Sequence, residues 1–139
     1  MLENSVGMAV LAATDLSRAI QYWHDVFGLD PVRNDEGGAT FFFGGIPVLV
    51  YESQFAGTAK STALAILTDD LDRDMAELRS RGVRFNDYDL PGLQTVDGVV
   101  DMGDERGAWF DDSEGNIISI AQPAGDGLER AKAMLAARA

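Results

Sequence analysis

Trp109-Phe110-Asp111-Asp112-Ser113-Glu114-Gly115-Asn116-Ile117-Ile118-Ser119-Ile120 reads as strand, tight turn, strand. The aromatic run at residues 108–111 favours extended backbone. Residues 112–116 hold turn formers, with Gly115 and Asn116 suited to the left-handed backbone of a tight hairpin. Ile117, Ile118 and Ile120 resume a β-branched run, and Ser119 is the polar residue inside it. The hairpin therefore closes a sheet, and the question it poses is what else that sheet contains.

Working back, residues 83–88 read as a strand, and residues 91–98 as a loop broken by Pro91-Gly92. Before them, Leu71, Met75 and Leu78 give a helical face, which starts at Asp69-Asp70 and follows a short apolar strand at residues 63–67. The unit is strand, helix, three strands. The same order occurs once more, nearer the N-terminus. Residues 8–13 form an apolar strand, and Thr14-Asp15 starts a helix. Leu16, Ala19, Ile20, Trp23 and Phe27 share one face of that helix, and Gly28 ends it. Strands follow at 31–33, 41–43 and 46–52, with a polar turn at 34–38 and a hairpin turn at Gly44-Gly45. Leu71-Asp72-Arg73 echoes Leu16-Ser17-Arg18, and Gly82-Val83 echoes Gly28-Leu29. An internal repeat of this length outweighs any single motif. One such unit buries only one face, so two should pair. Outside the repeat, residues 126–138 have a capping-box start and an amphipathic stripe of Leu128, Ala131, Met134 and Leu135, with Arg130 and Arg138 at its polar edges.

Bulk properties set limits. The 139 residues suffice for one domain with a core, and 46% are apolar. Without cysteine, disulfides, thiolate catalysis and sulfur-based zinc sites are excluded. A net charge of −12 argues against nucleic acid and anionic membranes. No run approaches the ~20 apolar residues of a membrane span. The first residues lack a basic start and apolar core, so a cytoplasmic protein is expected.

Taken as an ordered set, Ala13-Thr14-Asp15-Leu16-Ser17-Arg18-Ala19 with Tyr22-Trp23 and Phe27-Gly28-Leu29, Thr68-Asp69-Asp70-Leu71-Asp72 with Leu78-Arg79-Ser80-Arg81-Gly82-Val83, and the hairpin from Ala108 to Ile118 resemble the vicinal oxygen chelate superfamily. That superfamily includes glyoxalase I, extradiol dioxygenases, fosfomycin-resistance enzymes and bleomycin-binding proteins. The resemblance implies an α+β fold of the glyoxalase/bleomycin resistance/dihydroxybiphenyl dioxygenase kind. Two βαβββ modules (8–52 and 62–122, joined by a linker at 53–61) would form a curved mixed sheet around a cleft, with a C-terminal helix, in one domain spanning 1–139. It also implies a homodimer.

The metal ligand positions of that superfamily fall here on Met8, Val48 (within a residue or two), Ala63 and Ser119. These side chains cannot hold a divalent cation, so no metal and no cofactor are expected. Strand alternation then suggests an apolar cleft lined by Met8, Val10, Val48, Val50, Ala63, Ala65 and Ser119. Phe41 and Phe43 share a face and form either an aromatic wall or core. Trp109 or Phe110, but not both, lines the cleft. Glu52 is either a pocket carboxylate able to act as a base or a solvated strand end. The segment 88–98, with Asp101 and Asp104, is either a lid or a surface connection. His24, at the edge of the helical stripe, reads as structural or solvated. Asp69-Asp70 and Asp111-Asp112 read as helix cap and turn. The expected function is metal-independent binding of a small, largely apolar molecule, as in the bleomycin-resistance branch. The alternatives are an enzyme, of lyase, isomerase or metal-dependent glyoxalase/dioxygenase type, that uses a cleft carboxylate such as Glu52, and a degenerate regulatory or interaction module.

Overall fold

A computed structural model describes residues 1–137; the expected helix-edge residue Arg138 lies outside them. The chain forms two units. The first contains residues 1–60 together with the turn 113–116, and the second contains residues 61–112 and those from 117 onward.

In the first unit, β1 (Ala9–Ala13) leads into α1 (Leu16–Tyr22), which continues as a π-helical segment, Trp23–Phe27. Asp15 caps α1 by accepting the Arg18 N–H at 3.0 Å, the interaction its Thr-Asp start anticipates. Gly28, at φ 69°, ends the helical stretch. β2 (Arg33–Asp35), β3 (Gly38–Phe43) and β4 (Ile46–Glu52) complete a sheet of order β1-β4-β3-β2, with β1 parallel to β4 and the other pairs antiparallel. β2 starts two residues later than the sequence suggests, because residues 34–38 include the strand ends of a β2–β3 hairpin. Gly38 is required there. At φ 128°, a Cβ would lie 2.3 Å from the Val50 carbonyl oxygen.

Helix and sheet meet through aromatic rings. Trp23 stacks on Phe41 at 4.5 Å between centroids and meets Phe27 and Phe43 edge-on. Leu11, Ala13, Val48 and Val50 fill the rest of this core. Val26, three residues after Trp23 and seven after Ala19, is buried at the edge of the same stripe.

The second unit repeats the plan. β5 (Thr62–Leu67) is followed by α2 (Leu71–Ser80), capped by Asp70, which accepts the Arg73 N–H at 3.0 Å. After two short strands, β6 (Asp89–Leu90) and β7 (Leu93–Gln94), come β8 (Val100–Asp101), β9 (Arg106–Asp111) and β10 (Ile117–Gln122). The sheet order is β5-β10-β9-β8, with β5 parallel to β10. Leu71, Met75, Leu78, Phe110, Ile118 and Ile120 form its core. Two expectations are corrected here. Residues 83–88 are not a full strand but make one bridge, Phe85 to Phe110, and β8 takes the sheet edge instead. Pro91-Gly92 turns a small hairpin in which Leu90 pairs with Leu93, so this segment is not a plain loop. A last helix, α3 (Gly127–Ala136), has no fully buried residue. Among the described residues no helix is long and apolar enough to cross a membrane.

The turn 113–116 brings a carboxylate into the first unit. Glu114 is buried and accepts from Arg18 Nε at 2.7 Å and Nη2 at 2.9 Å, from the Asp15 N–H at 3.0 Å and from the Ser113 hydroxyl at 2.9 Å. Asn116 adds an amide donor to the Ala12 carbonyl at 2.8 Å. The Arg18 hydrogen bond holds the Glu114 carboxyl down at about 2, against an ordinary 4.5, although burial opposes it. The ionised form is therefore favoured by folding. The resulting stabilisation is present above pH 4.5 and is lost as pH falls from there through about 2. Urea unfolding should show Glu114→Gln less stable than wild type at neutral pH by on the order of 3 kcal/mol. The gap should close as pH is lowered toward 2; a gap independent of pH would refute the ion-pair account.

Candidate functional site

Strand pairing decides which side chains face away from the helices. In the first unit Leu11 pairs with Val50 and Ala9 with Val48, while Phe41 pairs with Val48 and Ala39 with Val50. Paired residues share a face. Val48, Val50 and Phe41 therefore lie with Leu11 on the helix side, all essentially inaccessible. The expected orientation of Val48 and Val50 is reversed by one residue. β4 is apolar on both faces, so its alternation is unreadable until Leu11 sets the register. Phe41 and Phe43 take the core alternative, around Trp23. The distal face carries Val10, Leu49 and Thr40 in one row and Ala12 beside Tyr51 in the next. Val10 is 53% and Phe42 59% exposed; Met8, just before β1, is exposed too.

In the second unit the distal face carries Ala63, Ala65 and Leu67 on β5, Ile117, Ser119 and Ala121 on β10, and Trp109 on β9, where Ser119 pairs with both Ala65 and Trp109. Phe110 pairs with Ile118 and is buried on the helix side. That resolves which of the two aromatics is distal. Trp109 is fixed in place. Its indole N–H donates to the Thr62 hydroxyl at 3.2 Å, and its ring meets Tyr88 edge-on at 5.6 Å. Thr62 and Tyr88 are part of this site; sequence reasoning missed Thr62 and named Tyr88 only as the start of a segment that is either a lid or a surface connection. Tyr88 belongs to the irregular segment, whose neighbours pairing alone reveals. The small side chains of Ala63, Ala65 and Ser119 leave a shallow apolar surface beside the indole.

Glu52 pairs with Ala13, so it has helix-side parity. It is exposed at the end of β4 beside a shallow recess of about 390 Å³ that it shares with Thr14, Ser53 and Gln54. It is not on the distal face. His24 is exposed with Nδ1 2.8 Å from Asp30. Asp69 pairs with Arg73, and Asp111 accepts from the Asn86 amide at 3.0 Å. Several carboxylates have displaced pKa values. Asp69 and Asp74 are lowered first by hydrogen bonds from Arg73, Asp72 by Arg106, and Glu114 by Arg18. That is the signature of ion pairing; a general base poised near neutrality shifts the other way.

The positions where the resemblance places metal ligands do not fit a divalent ion. Met8, Ala63 and Ser119 offer a thioether, a methyl and a neutral hydroxyl. The β4 position is buried Val48 or, on the distal face, Leu49. Hard or borderline cations need carboxylate or imidazole here. Among the described residues no group of three or more His, Asp or Glu is placed to supply them.

Residues 5–120 match the family described as the Glyoxalase/Bleomycin resistance protein/Dioxygenase superfamily. Solved structures share the fold. A glyoxalase/bleomycin resistance protein/dioxygenase from Alicyclobacillus acidocaldarius superposes with a TM-score of 0.68 at 19% identity, covering 89% of this chain and 95% of that one. An integron cassette protein from the mobile metagenome of V. cholerae gives 0.60 at 19% identity, over 86% and 94%. A mutant of the fosfomycin resistance protein FosX from Listeria monocytogenes, complexed with Mn(II) and a dihydroxypropylphosphonic acid, gives 0.62 at 15% identity, over 90% and 97%. No curated protein matches the sequence.

The two tryptophans report on the two faces of their sheets. Trp23 is 1% exposed, whereas Trp109 is partly accessible. Acrylamide should quench a single emitting component, and Trp109→Phe should remove it while leaving the blue-shifted emission of Trp23. Equal quenching of both indoles would contradict this placement.

Proposed function

The chain belongs to the Glyoxalase/Bleomycin resistance protein/Dioxygenase superfamily, and from that premise we propose that it is a metal-independent member that binds a small, largely apolar molecule. Residues 1–139 act as one domain of that superfamily in this reading, and the role is sequestration or carriage. The observation that carries it is the distal face of the second sheet, where Ala63, Ala65 and Ser119 lie beside an anchored Trp109. An indole held by a hydrogen bond beside small side chains is a preorganised surface for a flat apolar ligand. Two of the superfamily's metal-bearing strand positions, Ala63 and Ser119, lie on that same surface, so donor groups have given way to binding surface.

Elemental analysis of protein purified without chelator should find no stoichiometric divalent ion, and added Mn(II) should leave the melting temperature unchanged. An aromatic small-molecule library, read by thermal shift, should contain ligands that raise the melting temperature with saturation, by about 2.7 kcal/mol of stability at a hundredfold excess over Kd. Ser119→Trp, which fills the surface, should abolish that shift. A tightly held metal ion, or hits insensitive to Ser119→Trp, would overturn the reading.

The exposed distal residues of the first sheet, Val10 and Phe42 among them, support a homodimer, because contiguous exposed apolar surface of this kind marks an interface. Light scattering should give twice the chain mass at micromolar concentration, and Phe42→Asp should shift the population toward monomer. A monomeric wild type would exclude it.

A further inference from the structure

The second unit contains a recess of about 600 Å³ on the helix side of its sheet, away from the distal face. α2, the segment 94–99, β8 and β9 line it, and it is open to solvent. Met75, 2% exposed, lies beneath it, and Val96 and Val99 add apolar walls. Charged groups stand at its two ends, and their pairing differs.

At one end is Arg79. Its guanidinium sits over the Phe85 ring, 5.1 Å from the centroid, and donates from Nη2 to the Asp97 carbonyl at 2.8 Å. Asp97 adopts a left-handed φ of 52°, and the next residue, Gly98, at φ 81°, is packed against Phe85, Arg79 and Met75. Arg79 is held by these two contacts, yet it has no carboxylate partner among the described residues. At the other end Arg106 is committed to Asp72, through Nη2 at 2.9 Å and Nη1 at 3.2 Å. Asp101 pairs with Arg106 across β8 and β9, and its Oδ1 accepts the Gly103 N–H at 3.0 Å. That end carries two carboxylates against one guanidinium.

This polarity selects among ligand classes. A plain anion would satisfy Arg79 but bring nothing to the end that carries Asp72 and Asp101. A plain cation would satisfy Asp101 but leave Arg79 unmatched. A molecule with a carboxylate at one end and an ammonium at the other satisfies both. Asp72 and Arg79 are seven residues apart on α2, so the two ends are roughly 10 Å apart. Three extended residues span about that distance. We propose that this recess binds an amphipathic zwitterion about 10 Å long, its carboxylate on Arg79, its ammonium at Asp101 and its apolar middle on Met75, Val96 and Val99. Short peptides and ω-amino acids share this chemistry.

Calorimetric titration of the full chain with Ala-Val-Ala and with 8-aminooctanoate tests the proposal and separates the two sources. At least one should bind with 1:1 stoichiometry. Amidation of its carboxylate and acylation of its amine should each weaken binding roughly 10- to 100-fold, the range for a hydrogen bond to a charged group. Arg79→Gln should weaken the zwitterion to the same degree and leave the amidated form unaffected. Asp101→Asn, which keeps the acceptor for Gly103, should do the same for the acylated form. Should Arg79→Gln lose its circular dichroism, the amidated and acylated ligands on wild type still decide the matter. No saturable binding of either zwitterion up to about 10 mM, or binding indifferent to blocking both ends, would overturn the proposal.

Discussion

The Glu114 carboxylate makes the fold of the first unit depend on residues nearly a hundred positions away. The helix start at Thr14-Asp15 is a local signal, and Asp15 does cap α1 in the ordinary way. Yet the N–H of Asp15 itself and the Arg18 guanidinium are satisfied by Glu114, in the turn of the β9–β10 hairpin. A buried carboxylate without those partners would be strongly penalised, and with them it is held ionised well below its ordinary range. The turn also makes a close backbone approach. A Cβ on Gly115 would lie 2.9 Å from the Gly57 Cα, and one on Gly57 2.8 Å from the Glu114 carbonyl oxygen. The Ser-Glu-Gly-Asn turn is thus more than a chain reversal. Its glycine admits a neighbouring segment, its glutamate completes a helix start and its asparagine ties down β1.

The repeat, the Asp15 and Asp70 helix caps and the hairpin were legible in the sequence because each is written in local residues, whereas the capping box expected at Asp126 makes no side-chain cap hydrogen bond. Face assignment was legible only where alternation is clean. β10 alternates Ile118 and Ile120 with Ser119 and Ala121, and the structure keeps that division. In β4, Ile46-Pro47-Val48-Leu49-Val50-Tyr51 has no polar residue to mark a side, and its register comes from pairing with Leu11 and Ala39. The choice between Trp109 and Phe110 was open for the same reason and is closed by Ile118, whose partner must be buried with it. Val26 was legible too, because it follows Ala19 by seven residues and Trp23 by three, and the stripe as first read simply stopped short of it.

The recess beside α2 was illegible for a different reason. Arg79 sits in Leu78-Arg79-Ser80-Arg81-Gly82, which reads as the solvated end of an amphipathic helix. Arg81 does behave that way, pairing with Glu77 one turn back. Arg79 is set apart by Phe85 and Asp97, the first in an extended segment and the second in a turn whose left-handed residue was not foreseen. Residues from four segments meet there, so no window along the chain shows the cluster.

The two faces of each sheet carry different burdens. Packing that holds the fold lies on the helix side: Trp23 on Phe41, with Leu11, Val48 and Val50 in one unit, and Met75, Phe110, Ile118 and Ile120 in the other. Close packing makes these positions costly to change, because a cavity or an overpacked ring loses several kcal/mol. Met8, Ala63 and Ser119 lie outside those cores, where a ligand can be exchanged for a small side chain without disturbing the packing that defines the family. This separation lets those distal positions vary while the helix-side packing is kept. It also explains why the helix-side pattern identifies the superfamily while the distal face must be read residue by residue for function.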